Sequence, residues 1–188
     1  MAKNAKNGIS TMKPNYALPQ STQVQYSFGV IPNQQSAPPP KLAQHSYNEF
    51  LLDLPEHWRQ IPVAESNTLN FASEKDGAAL IISTDFYEIP ATIETALAEK
   101  CLSSRLNAHE QQFPGRVTVI RQSIKPHSGG SGFEMHYVAD GGGEHLILYL
   151  GYVTSRKILN FTLVCKPDQM AAFALFNQMM GYFRPKLP

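Results

Sequence analysis

Acidic residues are missing from the first 48 positions of this 188-residue chain; the first is Glu49. Residues 1–45 carry Lys3, Lys6, Lys13 and Lys41 without one compensating carboxylate, a formal charge of +4. The other 12 basic and 15 acidic residues leave the remainder at −3. The same opening stretch holds six of the 14 prolines and ten Asn or Gln, and its apolar residues follow neither a helical nor an alternating period. Such a segment cannot bury enough apolar surface to offset the roughly 1–2 kcal/mol per residue lost in fixing a backbone. Residues 1–45 are therefore expected to form a disordered arm, stiffened by Ala37-Pro38-Pro39-Pro40. Val24–Ile31 is its one candidate docking peptide.

Other absences exclude whole classes of function. No apolar run approaches the ~18 residues of a membrane-spanning helix, and no apolar stretch follows the first lysines as a secretory signal requires. No cysteine precedes Cys101 to carry a lipid anchor. With Met1 as its start, the chain is expected in the cytoplasm, with Cys101 and Cys165 as free, buried thiols. A net charge of +1 and dispersed basic residues argue against a nucleic-acid partner.

Catalytic signatures are missing as well. Gly129-Gly130-Ser131-Gly132 and Gly141-Gly142-Gly143 open no helix, so they read as turns rather than phosphate cradles. Ser83, Ser123 and Ser128 lie in no nucleophile elbow. His109-Glu110 lacks a second histidine, and His136 with His145 lacks the further ligands of a metal site. Asp53, Glu56, Asp85 and Glu88 fall near strand ends, where solvated charge is ordinary. The expectation is a protein with no catalytic activity, cofactor or metal.

What is present reads as an α+β domain from residue 46 onward. Phe50–Leu54 is a strand stopped by Pro55, and Leu69–Ser73 and Ala78–Tyr87 are strands joined by the Asp76-Gly77 turn. Pro90 opens a helix over 91–112, with Ile93, Leu97, Cys101, Leu102 and Leu106 at helical spacing. Arg116–Ile124 follows as a strand, and then Phe133–Ala139, Glu144–Val153 and Lys157–Cys165 form an antiparallel meander. Asp168 caps a last helix over 168–183, whose stripe is Met170, Phe173, Phe176, Met180 and Phe183.

Two-residue hairpin loops would set Asp140 opposite Gly143 and Thr154 opposite Lys157. One face then collects Phe133, Met135, Tyr137, Leu146, Leu148, Leu150, Leu159, Phe161 and Leu163, and the last helix should cover it. The opposite face mixes apolar and polar residues and is not the polar face of a solvated sheet. Ile147, Tyr149, Val164, His136 and Thr162 on it are the candidate partner-binding residues, suited to a protein or apolar peptide. The same face could instead be a second core, or serve a small-molecule-binding or hydrolytic domain. A homodimer is compatible with either.

The phrase Phe50-Leu51-Leu52-Asp53-Leu54-Pro55-Glu56-His57-Trp58 resembles the opening of the DcrB/PsbP-like superfamily. The likeness runs through Tyr149-Leu150-Gly151-Tyr152 to Phe183-Arg184-Pro185 and covers about residues 46–185. It implies a PsbP-like twisted antiparallel sheet with two main helices over 46–188. It also implies a binding or accessory protein, since the superfamily includes a photosystem subunit, Ran-binding import factors, bacterial DcrB lipoproteins and Eag-type type VI secretion chaperones. The missing lipid-anchor cysteine separates this chain from the DcrB lipoproteins and turns the expectation toward a bacterial cytoplasmic chaperone or adaptor for secreted effectors.

Overall fold

The computed structural model describes residues 41–129 and 132–186. The arm over 1–40, with Val24–Ile31, lies outside the described residues. In chain order the elements are β1 (Leu42–Ser46), β2 (Phe50–Pro55), β3 (Arg59–Ile61), β4 (Thr68–Ser73) and β5 (Ala78–Phe86). A short 3-10 turn then leads into α1 (Glu94–Gln112). After it come β6 (Val117–Pro126), β7 (Phe133–Gly141), β8 (Leu146–Val153), β9 (Lys157–Cys165), α2 (Gln169–Tyr182) and β10 (Phe183–Pro185). This is the α+β architecture expected, with a seven-stranded sheet in the order β3-β4-β5-β9-β8-β7-β6 and a small sheet β1-β2-β10.

One interior strand explains the layering. Every residue of β8 is buried, on both faces of the sheet. On one face Leu146, Leu148 and Leu150 join Leu80, Ile82, Leu159, Phe161 and Leu163 under α2 and the small sheet. On the other, Ile147, Tyr149 and Val153 join Met135, Tyr137 and Ala139 under Ala98 and Leu102 of α1. The two helices thus take opposite faces.

Three expectations need correction. The folded part begins before residue 46: Leu42–Ser46 pairs antiparallel with β2, and the His45 ring packs edge-on against Phe71 at 5.1 Å. Alternate burial along β1 is too weak in apolar residues to register as a strand signal, and its partner strand supplies the order. Second, β8 and β9 pair as expected, Leu148 with Leu163, but Leu148 faces Val138 of β7, not Met135. The β7–β8 connection closes at Gly141 N–H to His145 C=O, 2.9 Å, leaving three central residues instead of two. Gly142 and Gly143 sit at φ +74° and +77°, and the Gly143 N–H donates to Asp140. One extra loop residue turns β7 over, so Met135 and Tyr137 belong to the α1 side. It also sets His136 opposite Leu150 and leaves His145 in the turn.

Third, α2 is rolled relative to its expected stripe. Asp168 does cap it, accepting from the Ala171 N–H at 3.1 Å. Its buried side, however, is Ala172 and Met179 with Leu175, Phe176 and Met180 partly covered. Phe173 is 37% exposed and Met170 86%. The helix has apolar residues on more than one side, so spacing alone could not select the packed one.

A buried lysine joins the two sheets. Lys157, 8% exposed at the start of β9, donates to the Glu49 carboxylate in the β1–β2 turn and to the Lys186 carbonyl at 2.5 Å. Within the small sheet Arg184 of β10 holds Asp53 of β2.

Truncating Phe161, which is fully buried, should cost about 3–5 kcal/mol in urea unfolding. Phe173→Ala should stay within about 1 kcal/mol of the parent, as for a residue outside the core. Equal losses would contradict this placement of α2.

Candidate functional site

The five residues expected to bind a partner are divided by the structure. Ile147 and Tyr149 are 2% and 1% exposed beneath α1, and Thr162 is buried on the same face. Val164, opposite Ile147, is half-buried there. His136 faces the other way, toward α2. The mixed face is therefore a second core: α1 occupies the place assigned to a partner or small molecule.

Its polar members have internal partners. The Tyr149 hydroxyl donates to Asn160 Oδ1 at 2.8 Å, and Asn160 Nδ2 donates to Ser83 Oγ at 3.1 Å. The Tyr137 ring stacks on Tyr149 at 4.7 Å, and the Arg105 guanidinium lies over the Tyr149 ring at 5.2 Å. Tyr137 Oη and His109 Nε2 are 2.6 Å apart. Burial pushes the Tyr137 hydroxyl up to about 12, so it serves as a hydrogen-bonding group and not as an acid. Gly151 makes the arrangement fit. A Cβ there would stand 2.1 Å from the Tyr149 hydroxyl and 2.6 Å from Met135 Cε. The Tyr149-Leu150-Gly151-Tyr152 run thus encodes a ring laid over a glycine.

A serine, a histidine and an aspartate meet beside the Pro55–Trp58 turn. Asp76 accepts from Ser73 Oγ at 2.9 Å and lies 2.7 Å from His57 Nε2. Burial works to raise the Asp76 pKa, but the His57 and Ser73 hydrogen bonds outweigh it and hold it below the usual value. Both contacts converge on the carboxylate, so Ser73, itself 2% exposed, has no base to activate it. The trio fastens the turn to the β4–β5 hairpin. Among the described residues no three His, Cys, Asp or Glu side chains are grouped to hold a metal ion, and no helix is long and apolar enough to cross a membrane.

The open feature lies at the other end of the sheet. A cavity of about 420 Å³ separates α2 from β6 and β7. Arg121, Ser123 and Lys125 of β6 and His136 of β7 line its floor, and Phe173 and Phe176 line its wall. Glu134 binds Lys125 at 3.0 Å and His136 at 3.1 Å. Burial alone would raise its pKa; the hydrogen bonds from Lys125 and His136 prevail and hold it below the ordinary carboxylate range. Lys125 is thereby paired but still 59% exposed, and shares Glu134 with His136, while Arg121 forms no ion pair among the described residues. The wall helix carries no charged residue from Gln169 to Tyr182. Of the expected residues, His136 and the otherwise buried Tyr149 line this groove. The sequence signal that marks it is that uncharged helix, whose Met170 and Phe173 read more readily as core.

No protein-family model matches the chain, and no curated protein does. Among solved structures it is similar to the solution structure of cyanobacterial PsbP (CyanoP) from Synechocystis sp. PCC 6803. The TM-score is 0.52 at 18% identity, with 77% of this chain and 92% of that one covered. The likeness establishes a PsbP-like fold.

Gly151→Ala should cost about 1–3 kcal/mol, because the Tyr149 hydroxyl is held by Asn160 and cannot yield. A variant as stable as the parent would show that the ring has room. Acid should also weaken the α1 side. Burial first, then Arg105 and His145, hold the His109 pKa below its ordinary value. The unfolded chain therefore takes up this proton before the folded one. The stability tied to His109 is complete above about pH 6.5 and declines as pH falls through that value toward the folded pKa. Urea midpoints from pH 8 to pH 5 should fall less steeply in His109→Gln than in the parent; parallel curves would refute the assignment.

Proposed function

We propose that this protein is a noncatalytic binding or accessory module that holds an apolar segment of a partner protein in the groove between α2 and the β6–β7 end of the sheet. The observation that carries the reading is α2 itself: a surface helix without a charged residue, exposing Met170 and Phe173 beside a concave floor. Surface helices ordinarily turn charged residues to water, and large apolar side chains rimmed by polar groups mark interaction sites. A flexible methionine adapts to varied apolar partners, while Arg121, Ser123 and His136 supply the hydrogen bonds that fix orientation. The specific form proposed is a cytoplasmic chaperone or adaptor for secreted effectors. Its support is the resemblance of the Leu54-Pro55-Glu56-His57-Trp58 phrase to a superfamily that includes the Eag-type chaperones.

Met170→Ser combined with Phe173→Ser alters two exposed side chains and should leave thermal unfolding nearly unchanged. Capture of the protein's partner from its native cell should fall at least tenfold. Undiminished capture by a folded double variant would overturn the groove assignment. Hydrolase and nucleotide-turnover screens should stay at background; turnover abolished by His136→Ala or Asp85→Asn would overturn the noncatalytic reading.

A further inference from the structure

The groove floor ends on an unusual sheet edge. Among the described residues β6 is last in the strand order and pairs only with β7, so its outer side presents unpaired backbone groups along a ten-residue strand. Eight of those ten residues are exposed, including Val119 and Ile120. The opposite edge, β3, offers only three residues. The β6 register is irregular between Val119 and Arg121 and continuous from Arg121 to Pro126. Proline has no N–H to donate, which leaves Arg121–Lys125 as the regular stretch open to pairing.

Charge decides what can pair there. Arg121, Ser123 and Lys125 stand on the groove side, opposite Val138, His136 and Glu134. Two copies of β6 placed antiparallel about Ser123 would set Arg121 against Lys125 of the second copy. Placed about Arg121, they would set like against like. Residues 1–45, with lysines and no acid, meet the same cations. Both sources of strand within the protein are thus disfavoured, and a carboxylate-bearing strand is favoured, since Arg121 has no ion-pair partner among the described residues.

Resting on the groove reading above, we propose that β6 accepts an acidic extended segment of a partner protein as an eighth strand. Alternate side chains of an added strand fall on one face. Two carboxylates four residues apart stand opposite Arg121 and Lys125. The apolar side chain between them lies over Ser123 and reaches Phe173 and Phe176 across the groove. The bulge and the cations that keep copies apart thereby become selectivity for an acidic partner.

The probe is a synthetic nine-residue peptide of alternating threonine, with glutamates four apart flanking a central phenylalanine; its control carries lysines in place of the glutamates. By fluorescence anisotropy the glutamate peptide should bind the full chain at least tenfold tighter than the lysine peptide. Arg121→Glu, an exposed substitution, should invert that preference while leaving thermal unfolding unchanged. Amide exchange at residues 121–125 should slow in the complex. Equal affinity for the two peptides, no binding of either, or pairing of β6 with a second copy would overturn the proposal. Binding weakened by Phe173→Ala with exchange in β6 unaltered would overturn strand addition while sustaining the groove. Tight, acid-selective binding indifferent to Met170→Ser and Phe173→Ser would instead defeat the groove reading.

Discussion

Burial of β8 on both faces is the constraint from which the rest of the molecule follows. An antiparallel sheet can ordinarily leave one face in water. With Leu146, Leu148 and Leu150 on one side and Ile147, Tyr149 and Val153 on the other, this one cannot. Each buried side chain of that size contributes about 1.5–3 kcal/mol, so neither cover is optional. The β7–β9 meander accordingly recruits α1, which precedes it, for one face and α2 with the small sheet for the other. The groove is what remains when α2 reaches over β8 but does not extend across the outer strands β6 and β7.

The two covers are secured by different physics. The α1 side is tied internally by a chain of aromatic and amide groups, whose hydrogen bonds are satisfied and whose shape depends on the missing side chain of Gly151. The α2 side is closed at its rim by charge. Lys157 with Glu49 fixes the small sheet's position over an otherwise apolar contact that could slide, and Arg184 with Asp53 ties β10 to β2 within that sheet. Removing one member of the Lys157 pair would strand a charge that water barely reaches, which is costlier than never having had the pair.

Most elements were legible because their signals are local. The turn at Asp76-Gly77, the cap at Asp168 and the whole of β9 follow from residues a few positions apart. Errors arose where the deciding contact is distant or the pattern degenerate. Strands β1 and β3 are too short to show a period and take their order from the next strand, while β10 takes its order from β2, far along the chain. The face of β7 hinged on whether Asp140–His145 turns through two or three residues, a distinction three successive glycines cannot announce. The site is the least legible part: a two-residue loop puts His136 on the wrong face with β7, and the exposed Met170 and Phe173 are indistinguishable by type from core residues. That α1 would cover Tyr149 could not be read from spacing, since nothing local tells a helix which face of a sheet to take.

The small sheet is built from both extremities of the described fold: Arg184 meets Asp53 across 131 positions of sequence. Contacts so remote carry the full entropy of closing a long loop before they return anything, and on the ribosome they are unavailable until β10 emerges. The α1 side draws only on residues up to β9 and can assemble while translation continues. The leucine-rich face beneath α2 must wait, uncovered, for α2 and β10. Biosynthesis therefore divides this fold into an early half and a late half. The interval between them is when a nascent chain of this kind exposes its greatest apolar surface to its neighbours.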